Sequence, residues 1–284
     1  MPKASIDVLR KHALRVHEDV AEMLNTDSEL EEDAVHGLRV AAKEVRALWQ
    51  LLKPVLDDAR AEQAIASLGE AAASLSEVRD QYVTGDTLLK LCRRARGKDA
   101  RQALENALKL LQAGRHGDAT RVAASRQLRE SWADDSKRWQ TLDLNISQTE
   151  LISEGYGRLY RKAYRLTHSA LNSDDIQLWH SLRKWVKYLA LTLPLQGNSS
   201  KLEPLYTDVT RLGKKLGRLH DLETLLTELA TLAWPNQDTE DPAYVRHLVR
   251  REMGSVLEES ALLAVEIFSD KPRKFIRELK RQTR

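Results

Sequence analysis

Apolar residues recur at intervals of three and four positions along almost the whole chain. This spacing places them on one face of an α-helix, and the strict alternation that is typical of strands is not found. Breaks in the pattern fall at Pro54, 114–117, Asn145, 197–198 and 235–242. The pattern predicts helices over about 5–25, 30–53, 58–96, 99–113, 118–141, 147–172, 175–193, 201–233, 242–269 and 272–282. The fold class predicted is therefore all-α.

Composition supports long helices and a cytoplasmic protein. Only 12 glycines and 7 prolines occur in 284 residues, so turns are few, and the chain is long enough to bury a sizeable core. A single cysteine, Cys92, excludes an intramolecular disulfide and fits a reducing compartment. The first residues lack the apolar core of a signal peptide, and no stretch has the length of a membrane span. We expect no membrane association.

Two pairs of motifs indicate an internal repeat. The spacing His-x2-Arg-x3-Lys occurs twice, in His36, Arg39, Lys43 and in His180, Arg183, Lys187. Further along, SEVRDQYV around Arg79 matches GRLHDLET around His220. Because the matched motifs follow in the same order, we predict one domain over 1–284 that is built from two repeats, about 5–143 and 147–284. The repeats would form two antiparallel bundles about a pseudo-twofold axis.

Charge is segregated along the chain although the net charge is only +3. Residues 18–33 contain eight acidic and no basic residues, whereas 156–220 contain twelve basic and four acidic ones. The sign reverses over 221–260, and the last fourteen residues are again strongly basic. The acidic segments would repel a polyanion from everywhere except the basic surface.

The basic residues fall in rows on helix faces. On an ideal helix His36, Arg39, Lys43 and Arg46 lie within an arc of about 100°, beside the apolar face. Further rows follow in the second half: His180, Arg183, Lys184, Lys187; Arg158, Arg161, Lys162, Arg165; and Arg211, Lys214, Lys215, Arg218. Acidic partners at i+4 are missing from these rows, which favours an anion-binding surface over a merely hydrated one.

The chemistry of these rows does not indicate catalysis. The chain contains no P-loop, no G-x-G-x-x-G, no H-E-x-x-H and no nucleophile with an adjacent base, so we expect no enzyme activity and no cofactor. Arg or Lys follows His36 and His180 where a metal site would have ligands, so we expect no metal. His220 lies at the edge of an apolar face, and both a ligand role and a structural role stay open for it. Asp221 is expected to hold Arg218 in place.

Four motifs in this order, VHGLRVAAKEVR, SEVRDQYV, WHSLRKWVK and LGRLHDLETLL, resemble the CHAD family, the conserved histidine α-helical domain. The similarity extends from about residue 5 to 280. It implies two helical bundles around a central basic cavity, and a non-catalytic protein that binds inorganic polyphosphate, often on polyphosphate granules with granule-associated proteins as partners. It also implies a stand-alone CHAD protein, because this chain has no room for the CYTH domain that is often fused to the family.

The resemblance carries the ligand role onto matching positions of this chain: His36, Arg39, Lys43, Arg46, Arg79, His180, Arg183, Lys184, Lys187, Lys214, Arg218 and His220. The neighbouring basic rows add Lys162, Arg165, Arg211 and Lys215 to the predicted polyphosphate-binding surface. Ala190 stands where the second half would match Arg46, and the first half lacks the cations that match Lys214 and Arg218, so the surface is predicted to be lopsided.

Two alternatives remain open. A nucleic acid or another polyanion could use the same basic surface, although no motif of a base-reading module occurs and the tryptophans fit core positions. The histidines could instead belong to a metal-binding protein related to phosphohydrolases.

Overall fold

A computed structural model describes residues 4–25, 29–56, 58–113, 126–143, 146–196, 202–234 and 240–282. These residues form helices and connecting turns, without a β-strand among them, which confirms the predicted all-α class. None of their helices combines the length and the apolar character that crossing a membrane requires.

Twelve α-helices account for most of the described residues. They are α1 (Ala4–Leu24), α2 (Glu32–Leu52), α3 (Asp58–Ala73), α4 (Ser76–Arg94), α5 (Lys98–Ala113), α6 (Arg126–Gln140), α7 (Gln148–Glu150), α8 (Gly157–Leu171), α9 (Ile176–Thr192), α10 (Glu203–Thr231), α11 (Glu240–Ile267) and α12 (Pro272–Gln282). Short 3₁₀ turns extend α2 over Lys53–Val55 and α9 over Leu193–Gln196, and a π-helix over Leu151–Tyr156 leads into α8.

The single helix predicted over 58–96 is wrong, because the structure divides this segment into α3 and α4. The Ser74 hydroxyl donates to the Ala71 carbonyl at 2.9 Å, and such a bond competes with continued helical pairing. The next residue, Leu75, leaves helical geometry with φ −100° and ψ 10°. The break lets α3 pack against α2 while α4 turns toward α5 and α10.

Within each half, most helices pack against helices that are next to them in the sequence. In the first half α1 packs on α2 and α6, α2 on α3, and α4 on α5. In the second half α8 packs on α9 and α12, α9 on α10, and α10 on α11. Helix α2 also packs against α9, and α4 against α10, so one continuous apolar core joins the halves. The internal duplication, its pseudo-twofold axis and the repeat limits stay predictions.

The junction between the halves depends on a glycine. A Cβ atom on Gly155 would lie 2.7 Å from the Leu51 carbonyl oxygen, closer than real contacts allow. The π-helix therefore packs directly on the end of α2 only because this side chain is absent. The neighbouring Tyr156 is buried, its hydroxyl donates to the Thr192 carbonyl at 2.7 Å, and burial raises the pKa of this hydroxyl.

A polar network lies inside the first half. Asp135 is fully buried, and it accepts a hydrogen bond from Trp49 Nε1 at 3.0 Å. His17 Nε2 lies 3.0 Å from the other carboxylate oxygen. These contacts join α1, α2 and α6, and they satisfy a carboxylate whose burial would otherwise be costly. The network is absent from the sequence prediction because its members are far apart in the chain.

Candidate functional site

A cavity of about 370 Å³ opens where α4, α9 and α10 meet. Its volume lies within the range of about 300–1,000 Å³ that is typical of ligand pockets. We call it the basic cavity, and its described lining residues are Thr87, Lys90, Arg183, Lys187, Gly213, Lys214, Gly217, Arg218 and Asp221. Five of them are cations and one is a carboxylate. No aromatic side chain belongs to this described lining.

Helix geometry brings these cations together. Arg183 and Lys187 are four residues apart on α9, and Lys214 and Arg218 are four residues apart on α10, so each pair shares one helix face. Because α9 and α10 pack against each other, the two pairs face one space. A Cβ atom on Gly217 would lie 3.9 Å from Arg183 Nε, an ordinary contact distance, so the Arg183 side chain lies beside this position of α10.

Acidic residues outside the cavity hold two of its cations. Arg218 Nη2 forms an ion pair with Glu252 of α11, and Arg94 Nη1 lies 3.7 Å from the same carboxylate. Lys90 Nζ lies 2.6 Å from Asp86 one turn earlier on α4. Glu252 therefore links a cation of the first half to one of the second half at the edge of the cavity.

No acidic residue lies at i+4 in the row on α10, as predicted, but two of its cations have acidic partners at other positions. Lys215 pairs with Glu259 of α11, and Arg211 Nη2 lies 3.6 Å from Asp208 on its own helix. The hydrogen bond and charge of Lys215 lower the pKa of the Glu259 carboxyl. A spacing of i+4 along one helix does not reveal these partners, since they come from the next helix or from position i−3. Lys215 and Arg211 do not line the basic cavity.

Two of the histidines of the second half, His180 and His220, lie together where α9 packs on α10. His180 Nε2 of α9 contacts a carboxylate oxygen of Glu223 on α10, and the His180 ring centroid lies 4.9 Å from that of His220 in an edge-to-face arrangement. His220 thus contacts His180, and both a ligand role and a structural role for His220 stay predictions. His180 precedes Arg183 by one helical turn, and His220 follows Arg218 by two residues.

The first-half cations are arranged differently. Arg39 Nη1 donates to the Ala72 carbonyl near the end of α3 at 2.8 Å. Arg46 lines a separate cavity of about 480 Å³ together with Lys53, Glu62 and Glu70, where cations and carboxylates balance. The hydrogen bond and charge of Lys53 lower the pKa of the Glu62 carboxyl.

Several predicted ligands lie outside the described lining of both cavities. His36 is exposed and Lys43 is half-buried on α2, and Lys184 is exposed on α9. Lys162 and Arg165 are exposed on α8. Arg158 and Lys162 lie 5.1 and 6.0 Å from the centre of the Trp185 ring. The side chain of Arg79 falls outside the described residues.

The sequence analysis did not identify four residues of this region: Thr87, Lys90, Glu223 and Glu252. Lys90 belongs to the strongly basic run KLCRRARGK. This run lies outside the repeated motifs, so the sequence analysis assigned no ligand role to it. Glu223 follows His220 at i+3, a spacing at which side chains share a helix face, and this signal could have been used.

These features define an all-α protein with a cation-lined cavity where its two halves pack against each other. The model of the CHAD domain family matches residues 7–230, and the chain belongs to this family. A search of curated proteins found no match. Among solved structures, the chain is similar to PptA from Streptomyces chartreusis, with 14% identity, a TM-score of 0.61, and coverage of 93% of this chain and 99% of that one. It is also similar to the CHAD domain from the plant Ricinus communis, with 17% identity, a TM-score of 0.60, and coverage of 92% and 90%. At these levels of identity, both similarities support the fold alone.

Proposed function

We propose that this protein is a non-catalytic module that binds inorganic polyphosphate in the basic cavity. The observation that carries the proposal is the convergence of Lys90 with the α9 and α10 cations around one space. Membership of the CHAD family, which is associated in general with polyphosphate binding, supports the same ligand. Targeting to polyphosphate granules is the biological role that fits such a module.

The charge of the cavity favours a chain of phosphates over a single one. Five cations from α4, α9 and α10 line it against one carboxylate, Asp221, and Glu252 and Asp86 pair with two of these cations, so the positive groups are spread around the cavity and not gathered at one phosphate-sized point. Two arginines, Arg183 and Arg218, can each grip phosphate oxygens through two parallel N–H donors, whereas the lysines act as point charges. Several neighbouring phosphates of one flexible chain would satisfy all of these groups together.

The lining of the cavity also favours polyphosphate over single-stranded nucleic acid. Proteins that bind single strands combine a positive groove with aromatic side chains on which the bases stack. The described lining of the basic cavity contains cations, Thr87, Asp221 and two glycines, and so offers no stacking surface. Polyphosphate has no bases, so the absence of a stacking surface does not weaken its binding.

Charge reversal inside the cavity tests the proposal. We expect Arg183→Glu and Lys214→Glu each to weaken the binding of medium-chain polyphosphate by about tenfold or more, because a charge-assisted contact worth about 1.5–3 kcal/mol is replaced by repulsion. Arg250→Glu is the matched control, since Arg250 is exposed on α11 and the change in net charge is the same. Calorimetric titration measures affinity, and circular dichroism verifies the fold. Equal affinities of cavity and control variants would contradict the assignment of the site.

A further inference from the structure

A cavity of about 630 Å³ lies between α1 and α6 in the first half, and its volume is again typical of ligand pockets. We call it the α1–α6 cavity, and it shares no described lining residue with the basic cavity. We propose that it binds a small planar aromatic molecule that carries an N–H or O–H hydrogen-bond donor. This site goes beyond the proposed polyphosphate function and does not depend on it.

The cavity is built from one face of each helix. On α6 its lining residues recur at three and four positions from Arg129 to Gln140, and most of those between His17 and Leu24 on α1 do the same. The two helices run antiparallel, because His17 meets Asp135 whereas the Leu24 carbonyl accepts a hydrogen bond from Arg129. The α6 face extends for about 16 Å at 1.5 Å per residue, which is long enough for a fused ring system.

The buried part of the lining is apolar and aromatic. Val20, Leu24 and Trp132 are buried, whereas Ala21 and Ala133 of the same lining are exposed. Because the exposed positions carry only small side chains, the cavity stays open to an entering molecule. An aromatic molecule that covers the buried residues removes apolar surface from water and gains a ring contact with Trp132 as well.

His17 supplies the specific polar group of this cavity. The residue is 6% exposed, and its Nε2 lies 3.0 Å from Oδ2 of the fully buried Asp135. Because a carboxylate only accepts hydrogen bonds, the neutral His17 ring carries its proton on Nε2, and Nδ1 is left as an acceptor. This Nδ1 is buried and has no hydrogen-bond partner among the described residues. A buried acceptor of this kind costs free energy until a donor meets it.

The acceptor and the aromatic surface lie side by side. The ring centroids of His17 and Trp132 are 5.3 Å apart in an edge-to-face arrangement, and both residues line the cavity. Trp49 Nε1 donates to Asp135 at 3.0 Å, so the carboxylate that orients His17 is itself held in place. An aliphatic molecule would forgo the ring contact, and an aromatic molecule without a donor would leave Nδ1 unpaired. An aromatic ring with an N–H or O–H group satisfies both.

Two probes of the same shape test the proposal on the unmodified protein without polyphosphate. Indole carries an N–H donor, and benzofuran has an oxygen atom in its place. We expect a 1:1 complex with indole that is at least about fivefold tighter than the complex with benzofuran, because the analogue leaves the buried acceptor unpaired. Calorimetric titration measures both affinities, and a shift of the Trp132 side-chain N–H signal in NMR spectra, assigned with Trp132→Phe, reports the contact. Equal affinities, or no indole complex at millimolar ligand, would overturn the proposal.

Variants assign the bound molecule to the α1–α6 cavity. We expect Ala133→Phe to abolish indole binding, because the larger side chain occupies the cavity, whereas Ala59→Phe at an exposed position of α3 outside the described lining should leave it unchanged. His17→Phe keeps a ring but removes the acceptor, so it should abolish the preference for indole over benzofuran. Full indole affinity in Ala133→Phe, folded by circular dichroism, would show that indole binds elsewhere and that the proposal is wrong. A preference for indole that persists in His17→Phe would overturn the assignment of the acceptor.

Discussion

At the scale of single residues, Asp135 shows how one buried charge organises the first half. It lies beneath α1 and α2 with Trp49 and His17 as hydrogen-bond partners, and Arg138 Nη1 lies 3.7 Å away. The ring centroids of Trp49 and Trp139 are 4.5 Å apart in the same region. A carboxylate enclosed in this way fixes the positions of its neighbours, because an unpaired buried charge is costly.

We therefore expect Asp135→Asn to lower the free energy of unfolding by about 1–3 kcal/mol, since the amide keeps the size of the side chain but not its charge. Asp134→Asn is the control, because Asp134 is exposed and its ion pair with Lys137 at 3.6 Å should contribute less than about 1 kcal/mol. Urea denaturation followed by circular dichroism gives both values. Equal effects of the two variants would show that the buried network contributes no special stability.

Glu252 is one of the acidic residues that lower the positive charge at the basic cavity, together with Asp221 of the lining. It pairs with Arg218 of the lining and with Arg94 nearby. We expect Glu252→Gln to tighten polyphosphate binding by up to about fivefold, because a partly exposed ion pair worth about 1 kcal/mol no longer competes with the ligand. Glu258→Gln changes the same charge at an exposed position of α11 and serves as control. Weaker binding by Glu252→Gln, measured by calorimetric titration, would show instead that Glu252 positions Arg218 for the ligand.

At the scale of elements, the contact between the π-helix and α2 requires an absent side chain. We expect Gly155→Ala to lower the free energy of unfolding by about 1–3 kcal/mol, because the added methyl group would overlap the Leu51 carbonyl oxygen. At Gly254 a methyl group would meet nothing within 4 Å, so Gly254→Ala should stabilise α11 by about 0.5–1 kcal/mol. Thermal and urea denaturation measure both changes. A neutral Gly155→Ala would contradict the close approach.

Helices were predicted more reliably than their ends. The three-and-four spacing identified α2, α9 and α10 because each has a continuous apolar face that is buried against neighbours. It failed at Ser74, where one hydroxyl contact ends α3 without any glycine or proline to mark the turn. The π-helix over Leu151–Tyr156 was missed as well, because its apolar residues fit a regular helix equally well.

Spacing along the sequence groups cations only where they share a helix, and the role of these residues as ligands stays a prediction. The pairs Arg183–Lys187 and Lys214–Arg218 were found from spacing, and the structure places both in one cavity. Glu252, Glu259 and the contact of His180 with His220 depend on how α9, α10 and α11 pack, which spacing along one helix does not contain. Contacts between helices thus decide which cations are paired and which histidines meet.

At the scale of the whole molecule, the packing of α4, α9 and α10 brings five cations around one cavity. If the five cavity cations each neutralise one phosphate, the logarithm of the polyphosphate association constant should fall linearly with the logarithm of salt concentration, with a slope of about −3.5 by analogy with single-stranded nucleic acid. This corresponds to a loss of about 100-fold between 50 and 200 mM salt. A slope near zero in a calorimetric salt series would contradict an electrostatic mechanism.

The proposed function depends on the ligand of the basic cavity, and a comparison of two polymers tests this ligand most directly. The unmodified protein is titrated calorimetrically with medium-chain polyphosphate and, at equal charge concentration, with single-stranded DNA in physiological salt. The cavity has five cations and no aromatic side chain in its described lining, so we predict tight binding of polyphosphate and weak binding of DNA. Equal binding of both polymers, or no binding of polyphosphate, would contradict the proposed function and leave the CHAD fold as the established result.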